Sequence, residues 1–224
     1  MCKRHPTNES VRLEVERFCG LVHQLKVEHH TGEKLLSDEQ TRSLMEKTAR
    51  AFFEVVTNTL IDHFLLEVAK LSDPATSGHG EDENFTIDNM LSTVDWPPDV
   101  SSELGRLNVG VHQFRDYIKR ARNKLLAHYD KGTVLSGKTL GDFPPGEERR
   151  VLDVLEQMCN LMHKASIGGT YGQMLCSGQG DVSYLQEAMR KALAFDKLVE
   201  QSKGEELHRL VQCLHDVGKS GSAE

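Results

Sequence analysis

The stretch SSELGRLNVGVHQFRDYIKRARNKLLAHYD, residues 101–130, decides how the chain folds. Within it Leu107, Val111, Phe114, Ile118, Ala121 and Leu125 step by four, three, four, three and four residues. At 3.6 residues per turn those steps put all six side chains on one side of an α-helix, as a single buried seam. The pattern stops at Asp130, Lys131 and Gly132, where glycine favours a helix end.

Working outward, the same period recurs along most of the chain. Residues 9 to about 28 carry Val11, Val15, Phe18, Val22 and Leu25. A longer helix is expected after the N-cap pair Ser37 and Asp38, reaching about residue 70. Its stripe would be Leu44, Ala51, Phe52, Val55, Leu60, Phe64, Leu65 and Val68, and Pro74 bars its continuation. A polar, acidic loop leads to Asn84, then a short helix from Thr86 to Val94, closed by Trp96, Pro97 and Pro98. Further helices are predicted over 147–165, with Val151, Val154, Leu155, Met158, Leu161 and Met162, and after the N-cap Asp181. A last turn or two falls between 205 and 217. No stretch alternates with the period of a strand, and no repeat is visible. The expectation is an all-α chain, an antiparallel helical bundle with long central helices, forming one domain over 9–216 with a flexible tail at 217–224.

Composition narrows the function classes. The 224 residues suffice for a full core, and no apolar run approaches the roughly 20 residues that span a bilayer. Five cysteines with no Cys-x-x-Cys spacing suggest reduced thiols, and Met1 to Pro6 precede no apolar leader core, so a cytoplasmic protein is expected. The formal net charge of -7 means that a nucleic acid would have to be met by a local patch.

That patch lies in the same stretch. From Arg115 to Lys124 there are five positive residues, Arg115, Lys119, Arg120, Arg122 and Lys124, against Asp116 alone. Arg115, Lys119 and Arg122 fall at i, i+4 and i+7, on one face beside the seam. An arginine fork fits a phosphate, and a histidine exchanges a proton near neutral pH. His128, in the last helical turn, is favoured in its charged form by the macrodipole, and the Asn123 amide can orient a phosphate. Six residues turn an ideal helix by about 600°, which leaves Arg122 and His128 roughly 120° apart. They meet at one phosphate only if the helix breaks near Ala127 or a second copy of the chain completes the site. The bland counterpart is a solvated basic face and a histidine C-cap.

Arg122 followed by Asn123 and, after four more residues, His128 resembles the motif of the HEPN superfamily (higher eukaryotes and prokaryotes nucleotide-binding). Two stretches resemble its AbiU-type abortive-infection branch in particular. One is Leu71-Ser72-Asp73-Pro74-Ala75 followed by Asn84-Phe85-Thr86-Ile87 and Met90-Leu91; the other runs from Arg122 to Asp130. The likeness covers roughly residues 40 to 200. It implies a helical bundle that dimerises, bringing two Arg/His pairs to a shared cleft. It further implies a metal-independent endoribonuclease acting in anti-phage or toxin-like defence. His128 would then transfer protons, Arg122 would hold the phosphate and Asn123 would help to place it. Arg115, Lys119, Arg120, Lys124 and Tyr129 would grip RNA. Five residues separate Arg122 from His128 against the commoner four, and Asp130 stands where some toxins carry tyrosine. The alternative is a non-catalytic HEPN interaction module that binds RNA or a partner protein, an antitoxin among the candidates. No cofactor or metal is expected.

Four signals point elsewhere on letters alone. Gly132 to Thr139 fits the P-loop spelling, yet a helix end precedes it and Pro144 and Pro145 follow, without the strand and helix that a phosphate cradle needs. His215 and Asp216 copy the start of an HD phosphohydrolase core, but His208 and Cys213 complete no tetrahedral set. His29 and His30 suggest a solvated helix end, and the glycines from Gly168 to Gly172 a flexible connection.

Overall fold

The computed structural model describes residues 3–36, 38–77, 82–121, 143–172, 181–201, 204, 209 and 211–213. Helices dominate them: α1 (Glu9–Leu36), α2 (Glu39–Leu71), α3 (Ile87–Thr93), α4 (Pro98–Ala121), α5 (Glu147–Ser166) and α6 (Val182–Gln201). Residues 209 and 211–213 are helical as well. The fold is the expected all-α one, with a single small addition. Thr76–Ser77 (β1) pairs antiparallel with Asp82–Glu83 (β2), a ladder too short to show as alternation. The chain divides into two compact units, Met1–Gly32 with Asn58–Cys176, and Glu33–Thr57 with Ser177–Glu224. Both lie largely within the span 9–216, over which periodicity alone predicts one domain.

The first unit holds the main core. Val11, Val15, Phe18, Val22 and Leu25 of α1 are all buried, as their spacing requires. They share a core with Phe64 and Val68 of α2, Ile87 and Met90 of α3, Leu107, Val111, Phe114 and Ile118 of α4, and Leu155, Met158 and Met162 of α5. Helices α4 and α5 pack along one another. Trp96 is buried, and its indole N–H donates to the Met90 carbonyl at 3.0 Å, which satisfies its one polar atom. Cys19 and Cys159 are buried free thiols; the hydrogen bond from Cys19, and then burial, push the Cys159 thiol far up. Cys159 is thus not placed to act as a nucleophile, because the thiolate is the reactive form.

Local signals set the boundaries. Helix α2 ends where the Ser72 hydroxyl donates to the Val68 and Ala69 carbonyls (2.8 and 3.1 Å), so the resembling stretch Leu71 to Ala75 is a helix stop. Thr86 caps α3, accepting from the Asn89 N–H at 3.2 Å. Pro98 opens α4, three residues ahead of the expected start, since proline suits the first helical turn. Gly168 (φ 96°) closes α5: its N–H and that of Ile167 both donate to the His163 carbonyl. The glycines after α5 thus begin with a helix stop.

The second unit is smaller. Asp38 caps α2, accepting from the Thr41 N–H at 2.7 Å, and Asp181 caps α6, accepting from the N–H groups of Ser183 and Tyr184. Gln186 of α6 donates to the Thr41 hydroxyl and the Lys34 carbonyl at 3.0 and 3.3 Å. Leu35, Leu44, Met45, Phe53, Val182 and Met189 are the buried apolar residues here.

Two expectations fail in instructive ways. Helix α1 does not stop near residue 28 but continues to Leu36. His29 lies inside it, its ring 5.2 Å from that of Phe64, so the histidine pair is not a helix end. In α2, Ala49 leaves helical geometry (φ -156°, ψ 62°). The preceding Thr48 hydroxyl donates to the Leu44 and Met45 carbonyls, the back-bonding that bends helices. A stripe drawn across that break is out of phase in the turns just after it, although Phe64, Leu65 and Val68 farther along are buried as expected. Phe52 and Val55, expected in the core, are 60% and 65% exposed and Ala51 is exposed too, whereas Phe53 is buried.

Candidate nucleic-acid interface

The seam of α4 fixes what its neighbouring face can present. Shifted by one residue from Leu107, Val111, Phe114 and Ile118 are Asn108, His112, Arg115 and Lys119. One residue is a rotation of about 100°, so this second row runs beside the seam at the edge of the core. Asn108, His112 and Arg115 are half-buried and Lys119 is exposed. Among the described residues neither Arg115 nor Lys119 is tied up in an ion pair. Both cations are therefore free to meet a phosphate, at the cost of little desolvation.

The row is anchored at its N-terminal end by α3. The Asn108 amide donates to Asp88 Oδ1 at 2.8 Å, and His112 Nε2 lies 3.1 Å from the same oxygen. A carboxylate only accepts, so Nε2 is the nitrogen that carries the proton and Nδ1 is left for another partner. Asn108 Oδ1 is buried with no hydrogen bond among the described residues. Thr86, by capping α3, sets the direction of Asp88 and thereby of His112.

Of the residues expected to grip RNA, Arg115 and Lys119 lie on α4 as their spacing requires. Arg120 belongs to the same helix, its side chain outside the described residues. Arg122, Asn123, Lys124, His128 and Tyr129 lie outside the described residues, as do the P-loop-like segment 132–139 and the pair His215 and Asp216. Among the described residues there is no group of three or more His, Cys, Asp or Glu that could hold a metal ion. Among them, too, no helix is long and apolar enough to cross a membrane.

With the bundle and the basic row in place, comparison with known families is decisive. The HEPN family model described as AbiU2 matches residues 15–185, about three quarters of the chain. This chain belongs to the HEPN-type AbiU2 family. The match runs from α1 into α6 and takes in both stretches on which the likeness rested. No curated protein and no solved structure matches the chain. Membership makes it an abortive-infection protein of HEPN type.

Asp88, Asn89 and Asn108 are polar residues that the sequence does not single out. Asp88 meets α4 residues 20 and 24 positions away, a separation for which no helical or strand spacing exists. Asn89 is interrupted sequence between Ile87 and Met90, and only its burial brings it to notice.

Proposed function

We propose that this AbiU2-family chain is a metal-independent endoribonuclease of anti-phage or toxin-like defence, binding RNA along α4 and cutting it at the motif beyond. The observation that carries the reading is the row formed by His112, Arg115 and Lys119, which runs without a helical break to Ala121, directly before Arg122. A strand held by its phosphates along this row would be delivered to Arg122, Asn123 and His128. Arg120, Lys124 and Tyr129 add further contacts in the same reading.

The chemistry is an internal transfer. The ribose 2′ oxygen attacks the adjacent phosphorus, its proton passing to a base, and the P–O bond to the 5′ oxygen breaks as that oxygen takes up a proton. The products are a 2′,3′-cyclic phosphate and a 5′-hydroxyl. His128 serves one of the two proton transfers, worth about 10²–10⁴-fold in rate. Arg122 balances the charge that grows on the phosphate oxygens, and Asn123 orients them. A second copy of the chain would bring a second Arg/His pair to the cleft.

Incubation of the purified chain with labelled RNA in excess EDTA tests the reading. Cleavage leaving a cyclic phosphate, lost in His128→Ala while binding persists, is the expected result. Binding without cleavage in the parent protein would instead establish the non-catalytic module, which docks RNA or a protein partner through the same row.

A further inference from the structure

Around Asp88 the hydrogen bonds do not close, and the atoms left over are acceptors. Asp88 Oδ1 takes the amide N–H of Asn108 at 2.8 Å and the ring N–H of His112 at 3.1 Å. Two nitrogens are thereby turned to one carboxylate oxygen. Asn108 Oδ1 is buried and has no hydrogen bond among the described residues. His112 Nδ1 has no partner among them either, and its side chain is 40% exposed. A neutral imidazole carries one donor and one acceptor nitrogen, so fixing the proton on Nε2 makes Nδ1 the acceptor.

Spare acceptors call for a donor. The next turns of the same row have the opposite need. Arg115, half-buried, and Lys119, exposed, have no ion pair among the described residues and call for an anion. His112 and Arg115 are three residues apart, which sets their Cβ atoms about 5–6 Å from one another. One nucleotide spans that interval. A ligand suited to this row therefore offers an anion and a hydrogen-bond donor side by side.

We infer that His112 reads the ribose 2′-hydroxyl, so that the α4 row selects RNA over DNA; the inference rests on the RNA reading above. The hydroxyl donates to His112 Nδ1 while Arg115 and Lys119 hold the flanking phosphates. The DNA backbone offers acceptors and no donor, and the 2′-hydroxyl is the group by which a protein tells the two apart. Asp88 acts as a positioning residue, since its carboxylate keeps the proton on Nε2 and the lone pair on Nδ1. The amines of the bases are the other donors of a nucleic acid. DNA carries those as well, so a site that took one would not separate the two.

The test is fluorescence anisotropy with one uridine-free single strand, made as RNA, as DNA and as 2′-fluoro RNA, which keeps the RNA sugar pucker without the hydroxyl. The full chain carries His128→Ala, so that RNA is not consumed, and the solution is held at about pH 8, above the ordinary imidazole range. RNA should bind about three- to tenfold more tightly than DNA or 2′-fluoro RNA, as one hydrogen bond implies. His112→Phe keeps a ring on the helix and removes both nitrogens. It should bring the three strands to one affinity, with that for DNA changed by less than about twofold. Asp88→Ala should also reduce the preference, because Nδ1 is no longer held as the acceptor. Equal affinity for the three strands before His112 is changed would overturn the proposal and leave the RNA reading standing. An equal loss for all three in His112→Phe would reveal a phosphate contact and overturn it as well. Binding of none of the strands would remove both readings together.

Discussion

Two rows of α4 lie one residue apart and obey different rules. The row of Leu107, Val111, Phe114 and Ile118 is buried and held by packing in every direction. The row of Asn108, His112, Arg115 and Lys119 is held, among the described residues, at its N-terminal end by Asp88, and grows more exposed toward Ala121. A rotation of about 100° therefore separates residues that make the helix stand from residues that give it something to do. Fixing the first row in the core is what aims the second, because a helix cannot turn about its axis without unpacking its seam.

Substitutions should separate the rows by kind as well as by size. Phe114→Ala, in the fully buried row, is expected to cost about 3–5 kcal/mol in urea denaturation, by removing packed atoms and leaving a cavity. Its folded fraction should still bind RNA. Asp88→Ala acts at the join between the rows. It leaves the Asn108 amide without its acceptor, a loss of about 1–3 kcal/mol, and frees His112, so both stability and RNA affinity should change. A loss of stability close to zero in Asp88→Ala would show that the second row is not anchored by α3 at all.

The double variant of Arg115→Ala and Lys119→Ala should leave stability within about 0.5 kcal/mol, as expected at sites away from the core. Its effect belongs to binding. The salt dependence of RNA affinity should flatten by about 1.4 in log–log slope, from two lost contacts to single-stranded phosphates. An unchanged slope would remove the basic row from the interface. Smallest of all should be Phe52→Ala in α2, within about 0.5 kcal/mol because the ring is already exposed. Phe53→Ala beside it should cost several times more, and equal effects would contradict the break at Ala49.

Much of the fold was legible because helical periodicity is a local signal. The seams of α1 and α5, the α4 seam from Leu107 to Ile118, the caps Asp38 and Asp181, and the stop before Pro74 all act over a few residues, and each lies where its sequence indicates. Legibility failed where a local event changed the phase. Thr48 broke α2, and Ala51, Phe52 and Val55, extrapolated across Ala49, came out facing solvent, while Phe64, Leu65 and Val68 farther along are buried as expected. It failed again at the end of α1, where ring packing of His29 on Phe64 carried the helix past the last residue of its regular seam. For the site, helical spacing was enough to put Arg115 and Lys119 on one face, whereas the link from Asp88 to His112 had no spacing to betray it.

By itself, then, the sequence determined the helical character of the chain, the buried face of α4 and the motif that marks its family, since each is written in residues less than two turns apart or in a short string. The tertiary structure alone decided which polar side chains are joined across helices. Asp88 and Asn89 are neighbours of similar shape, yet the Asp88 carboxylate is taken up by Asn108 and His112 of α4, whereas Asn89 faces other segments and lines a cavity with Lys3, Thr76 and Glu83. Which of the two is joined to α4 depends on what distant segments bring to each side of α3, and that is settled only when the segments pack.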